Sequence, residues 1–210
     1  STFDLRPSTF DLRPSTFDLR PSTFDLRPST FDPMNDVAIS ARERALEAAL
    51  NALRYDTIGE VALLVGKPAP GEHVALPAVD VVKGFGFKGD HALKSHWRGE
   101  RIPGREVSAV SFEVAYVLGV DPLTIGDNLV TRGLDLRQLR TGDRVQIGTA
   151  ILERSDRMHR PCHLFSQRTS PEAYAVVRRT NHRGALFNVL EPGHIAVGDA
   201  IVPLRRAQHG

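Results

Sequence analysis

The only cysteine in the chain, Cys162, stands in the run Arg157-Met158-His159-Arg160-Pro161-Cys162-His163-Leu164, among guanidinium and imidazole groups. A thiol attacks or binds metal as its thiolate, and neighbouring cations favour that anion. Such a residue is open to ligation of a soft metal, to sulfur transfer as a persulfide, or to nucleophilic attack assisted by a histidine base. Free cysteine also packs as a small hydrophobe. Packing alone gives no reason for Arg157, Arg160 and His163 beside it, nor for Pro161, which fixes backbone direction and removes an amide donor. A zinc site drawn from Cys162, His159, His163 and His182 would have a spacing unlike familiar zinc motifs. A cysteine hydrolase would need its histidine oriented by a third group, which the sequence does not identify.

Composition narrows the setting. One cysteine can form neither an internal disulfide nor a cysteine-only zinc site, which points to a reducing, cytoplasmic compartment. No run approaches the roughly 18 apolar residues of a membrane helix, and the N-terminus has neither the charged start nor the apolar stretch of a signal peptide. The chain is 41% apolar and 25% charged, within the ordinary globular range. Its formal charge is +2 and lysine is scarce. Arginine suits bidentate recognition of phosphate or carboxylate, so the expected partner is a small anionic ligand rather than a nucleic acid.

Three segments follow from the patterning. Residues 1–33 repeat Ser-Thr-Phe-Asp-Leu-Arg-Pro four times and close with Ser-Thr-Phe-Asp-Pro. A proline in every heptad rules out a coiled coil, and the array reads as disordered or as non-native coding ahead of Met34. Residues 34–56 predict an amphipathic helix from Asp36 to Tyr55 over one end of a sheet, with Ser40 and Glu43 as a capping box. In residues 57–210 strands are expected at Thr57–Val65, Val74–Val82, 105–110, Asp143–Glu153 around a Gly148 turn, Gly184–Leu190 and Ile195–Leu204. Short helices are expected at Phe112–Leu118, capped by Ser111, and from Ser170 to Arg179. Lys83–His91 is an irregular glycine-rich stretch that allows close approach of main chain to a ligand. Short strands with frequent glycine turns predict a mainly β fold, closed or nearly closed as a barrel.

The series Gly89-Asp90-His91, Gly126-Asp127-Asn128-Leu129, Gly142-Asp143 with Ile147-Gly148, Arg160-Pro161-Cys162, and Arg183-Gly184 leading to Val189-Leu190-Glu191-Pro192-Gly193 and Gly198-Asp199 resembles the MOSC domain of molybdenum cofactor sulfurases, from about Gly59 to Leu204. The resemblance implies a barrel similar to that of pyruvate kinase and binding of the molybdenum cofactor, molybdopterin. It makes Cys162 the metal ligand or, alternatively, a persulfide sulfur carrier; a non-catalytic cofactor-binding module is a third reading. Some members reduce N-hydroxylated compounds with electrons from partner reductases. That reaction would need a small-molecule substrate and an external electron donor, as the carrier would need a sulfur donor. The pyridoxal-phosphate domain of the larger relatives is missing here.

On this resemblance, Cys162, His91 and His163 are the catalytic candidates. Arg157, Arg160 and Arg183 would hold the pterin phosphate, with Asp127, Asn128, Gly89 and Asp90 also at the cofactor. Two departures bear on the substrate. Asp127 replaces the usual glutamate, and His91-Ala92-Leu93-Lys94-Ser95-His96-Trp97 replaces a His-Gly-Gly segment. Trp97 would pack or stack on a flat ring.

Overall fold

The computed structural model describes residues 39–97 and 99–204, apart from the side chain of Trp97. The heptad array of residues 1–33 lies outside the described residues, as does any stacking by Trp97. In chain order the elements are α1 (Ala41–Asn51), β1 (Gly59–Gly66), β2 (Val74–Leu76), β3 (Ala78–Val82), β4 (Gly86–Phe87), β5 (His96–Trp97), β6 (Glu100–Arg101) and β7 (Val107–Ser111). There follow α2 (Phe112–Leu118), α3 (Pro122–Ile125), β8 (Leu129–Arg132), β9 (Arg144–Ile147), β10 (Ala150–Arg154), α4 (His163–Arg168), α5 (Pro171–Thr180), β11 (Ala185–Glu191), β12 (Gly193–Ala196) and β13 (Ala200–Leu204).

Among the described residues, seven strands pair in the order β13-β9-β10-β11-β7-β8-β1, and β1 pairs again with β13 through Gly59↔Ile201 to close a barrel. All these pairs are antiparallel except β7 with β8, which are joined through α2 and α3, as a parallel pair needs a crossover. Alternation decides which side chains point inward. Val145 and Ile147 on β9 are buried while Arg144 and Gln146 between them are exposed. The barrel interior packs Leu64, Phe87, Ile147, Leu152, Phe187 and Ile195 into one apolar core. The fold is thus mainly β with short helices, as the sequence implied.

The helices form a second layer with its own core, in which Leu50, Val114, Phe165 and Val176 meet. The capping box forms: the Glu43 amide donates to Ser40 Oγ (3.1 Å) and the Ser40 amide to Glu43 Oε2 (2.8 Å). Helix α1 ends earlier than predicted and packs on α5 and α2 rather than over the end of a sheet. The reading of Val74–Val82 as one strand is also corrected. Pro77 has no amide for a ladder, so the chain breaks there; β2 stays on β1 while β3 joins β12 and β4 in a separate small sheet.

Candidate functional site

A cleft of about 250 Å³ opens where the β1–β2 loop, the loop after β4, the α3–β8 turn and the segment from β10 into α4 meet. Its floor is charged. Asp127, only 2% exposed, is paired with the Arg183 guanidinium and lies 3.5 Å from His159 Nε2. Burial alone would raise the Asp127 carboxyl, but the Arg183 charge and hydrogen bond outweigh it and hold the group at about 2, His159 adding to this only once it is protonated in acid. Burial, reinforced by the Arg183 charge, pushes His159 down to about 3, so its imidazole is neutral at physiological pH. Its Nδ1 has no hydrogen-bond partner among the described residues.

Arg183 is held by its surroundings. Its guanidinium lies over the Phe165 ring at 4.8 Å. Gly184, which follows it, has φ +104°, and a Cβ there would fall 2.0 Å from the Ala109 carbonyl oxygen. The Arg183-Gly184 pair therefore seats main chain directly against β7, where no larger residue fits.

A second network converges on Lys67. Asp90 Oδ1 accepts from the Lys67 amide (2.7 Å), and its Oδ2 accepts from Lys94 Nζ (2.7 Å) and Asn128 Nδ2 (2.9 Å). Asn128 also donates to the Val65 carbonyl (3.2 Å) and accepts from Lys67 Nζ (3.1 Å). The Gly-Asp-His and Gly-Asp-Asn-Leu motifs thus grip the end of β1 and aim Lys67. Burial is the main cause that lowers Lys67, to about 8.

Of the residues singled out from the sequence, Cys162, His91, Asp127, Arg160 and Arg183 line the cleft together. Asp90 and Asn128 are buried and bonded to each other. Gly89, Arg157 and His163 are not among its walls. The sequence reading missed Lys67, His73, Lys94, Arg105 and Arg168, all of which line the cleft. Gly126 carried one usable signal: with φ +81°, a Cβ there would come within 2.3 Å of the His73 ring and 2.7 Å of Arg168 Nη1. A glycine in such a place marks two side chains that must come close. Among the described residues no three of His, Cys, Asp or Glu stand together to hold a metal ion, so Cys162, His159, His163 and His182 do not assemble the zinc site weighed above.

The cleft has an excess of positive charge. Lys94 is paired with Asp90, and Arg183 with Asp127. Among the described residues Lys67, Arg105, Arg160 and Arg168 have no ion-paired carboxylate, Glu72 is the one further acid in the lining, and Cys162 is exposed at the same cleft. Such a surface takes an anion with several acceptor oxygens, beside a thiol open to ligation.

Residues 99–202 match the model of the MOSC domain. The chain carries a MOSC domain. The fold is similar to that of the YUAD protein from Bacillus subtilis, at 22% identity and a TM-score of 0.54, over 69% of this chain and 94% of that one. It is also similar to YiiM from Geobacillus stearothermophilus, at 19% identity and a TM-score of 0.53, over 72% of this chain and 77% of that one. YiiM from Escherichia coli aligns at 19% identity and a TM-score of 0.51, over 70% and 71%. No curated protein matches in sequence. These solved structures share the MOSC fold with this chain. Among the described residues no helix is long and apolar enough to cross a membrane.

Proposed function

We propose that the cleft binds the molybdenum cofactor and that the protein reduces N-hydroxylated small molecules. The observation that carries this reading is the exposed Cys162 in a cleft with four cations that lack carboxylate partners among the described residues. The residues fit the group: a thiolate is a soft ligand for a sulfur-rich metal centre, and forked guanidinium groups suit a phosphate. Cys162 Sγ would be the metal ligand. Arg105, Arg160, Arg168 and Lys67 would hold the phosphate, with Arg183 fixed by Asp127 beneath them. When bound, the cofactor supplies two-electron chemistry, so that R–NH–OH with two electrons and two protons gives R–NH2 and water.

The chain's own groups bind, orient and move protons. His91 lines the cleft, with a buried Nδ1 that has no partner among the described residues, and would carry a proton to the hydroxyl that leaves. Asp90 and Asn128 keep Lys67 Nζ aimed, and neutral His159 supports Asp127 without adding charge. The electrons come from an external donor, in a cytoplasmic setting where an exposed thiol stays reduced. A solvent-open cysteine with no pocket beside it would favour a sulfur carrier. Cys162 is open but does line a pocket, which favours the cofactor.

The test is the molybdenum and pterin content of the full chain, purified without oxygen from a host that makes the cofactor, beside Cys162→Ala. Near-stoichiometric metal that is lost in the variant supports thiolate ligation. No metal in either protein sinks the reading and turns attention to persulfide on Cys162.

A further inference from the structure

Behind the Cys162 cleft lies a second one of about 210 Å³, lined by Met158, His159, Arg160, Pro161, Arg178 and Asn181. His159 and Arg160 line both clefts, so the segment from Met158 to Cys162 is the ridge between them. Burial alternates along this ridge. Met158, Arg160 and Cys162 are exposed, while His159 and Pro161 are buried. That alternation belongs to an extended chain, and it sets the three outward side chains roughly 6 to 7 Å apart in a row. Leu164 continues the surface beyond the cysteine. Met158 is 56% exposed and Leu164 54%, so large apolar side chains stand in the open on either side of Cys162.

The charge around the ridge is predominantly positive, with Asp156 the one exposed carboxylate beside it in sequence. Arg157, Arg160 and Arg178 are exposed and have no carboxylate partner among the described residues. Of the nearby acids, Glu47 is spent on Arg179 (2.7 Å), and Asp156 accepts from the Ser155 hydroxyl (3.3 Å). Methionine and arginine are enriched where proteins meet, and single-sign patches speed the approach of an oppositely charged partner.

We propose that this ridge is the landing surface for an acidic electron-carrier protein, one that presents carboxylates around a small apolar centre. The proposal rests on the cofactor reading above and names the partner it requires. Reduction of an N–OH bond consumes two electrons, so a one-electron carrier must dock and leave twice per turnover. A small, charged, partly apolar patch suits such brief encounters, whereas a large apolar face would hold the carrier too long. Because Cys162 ends the row, a carrier seated on Met158 and Arg178, which stand outside the Cys162 cleft, lies close to the ligand proposed for the metal.

The test uses the full chain with two acidic probes, a plant-type ferredoxin and a flavodoxin, and the double variant Met158→Asp/Arg178→Glu. Neither residue lines the Cys162 cleft. Calorimetric titration should give a complex that weakens with salt and is about tenfold weaker in the variant. In protein carrying molybdenum, turnover driven by the carrier should fall by a similar factor, while turnover driven by a small chemical reductant and the metal content stay unchanged. No salt-sensitive complex with either probe, or one that the variant leaves intact, overturns the proposal. A complex that forms with protein found to lack molybdenum would overturn the cofactor reading and leave the landing surface standing.

Discussion

The barrel interior and the floor of the cleft are equally closed to water, yet they are stabilised in opposite ways. Phe187 and Leu152 gain from every apolar contact, and the barrel core is apolar. Asp127, Arg183, His159, Asp90 and Lys94 are buried with polar groups that would cost several kcal/mol each if left alone. They persist because each charge has its counterpart: Arg183 against Asp127, and Lys94 against Asp90. Apolar residues of similar volume at these positions would hold the fold as well or better. The floor is therefore best understood as a device that fixes Arg183 and Lys67 under an open cleft, whereas the core is what keeps the barrel closed.

The sharpest way to break this comparison is to damage each region in turn and vary the pH. Phe187→Ala should cost about 3–5 kcal/mol by leaving a cavity. Asp127→Ala should cost a similar amount at neutral pH by leaving Arg183 buried and unpaired. Their acid limbs should differ. The Asp127 carboxyl is depressed in the folded protein from its usual 3.8 to about 2, so its contribution is complete above about pH 4 and is lost as the pH falls toward 2. Denaturant titrations at pH 7 and at successively lower pH should show a constant deficit for the core variant and a shrinking one for Asp127→Ala. A deficit for Asp127→Ala that does not shrink would mean that the carboxylate charge is not what matters.

Gly184→Ala should come next, at about 3 kcal/mol, since the new Cβ meets the Ala109 carbonyl oxygen and φ lies in the glycine-only region. Melting curves would check it, and a variant as stable as the parent would mean that the main chain does not press on β7 as described. His159→Gln should have a smaller effect, read from the slope alone. The imidazole is held down from 6.5 to about 3 in the folded protein. Between those values the unfolded chain takes up a proton that the folded one refuses, so stability falls as the pH drops through that window. The variant should flatten that fall. An unchanged slope would place the acid sensitivity elsewhere.

The two regions also differed in how far the sequence revealed them. The barrel was legible because alternation and glycine turns are local signals: Val145 and Ile147 alternate with polar neighbours, and Gly148 marks the β9–β10 turn. The single strand expected across Pro77 failed because a missing amide outweighed a continuous apolar pattern. Helix α4 went unread because six residues following a cysteine cap with no side-chain bond carry almost no helical signature. In the cleft, the motifs named the right loops but not every role. Asp90 and Asn128 bond Lys67, Lys94 and Val65, a positioning role that the motifs alone did not spell out. Lys67, between two expected strands, carried no local signal. Its importance depends on residues 23 and 61 positions away, a relation that no local pattern encodes.

The smallest effect should fall on the residue with the most distinctive surroundings. Cys162 is exposed, and although it stands at the N-cap of α4 its side chain makes no capping bond. Cys162→Ala removes a thiol that packs against little, so the stability of the protein without cofactor should change by less than about 0.5 kcal/mol. Chemical denaturation of the two proteins side by side would measure this. A loss of more than about 1 kcal/mol would restore the view of this cysteine as a packing residue and weaken every functional argument built on it. An unchanged midpoint would separate it from both regions compared above. It would then be neither a core residue that closes the barrel nor a buried charge that needs its pair, and its position among unpaired cations would be explained by what its sulfur binds.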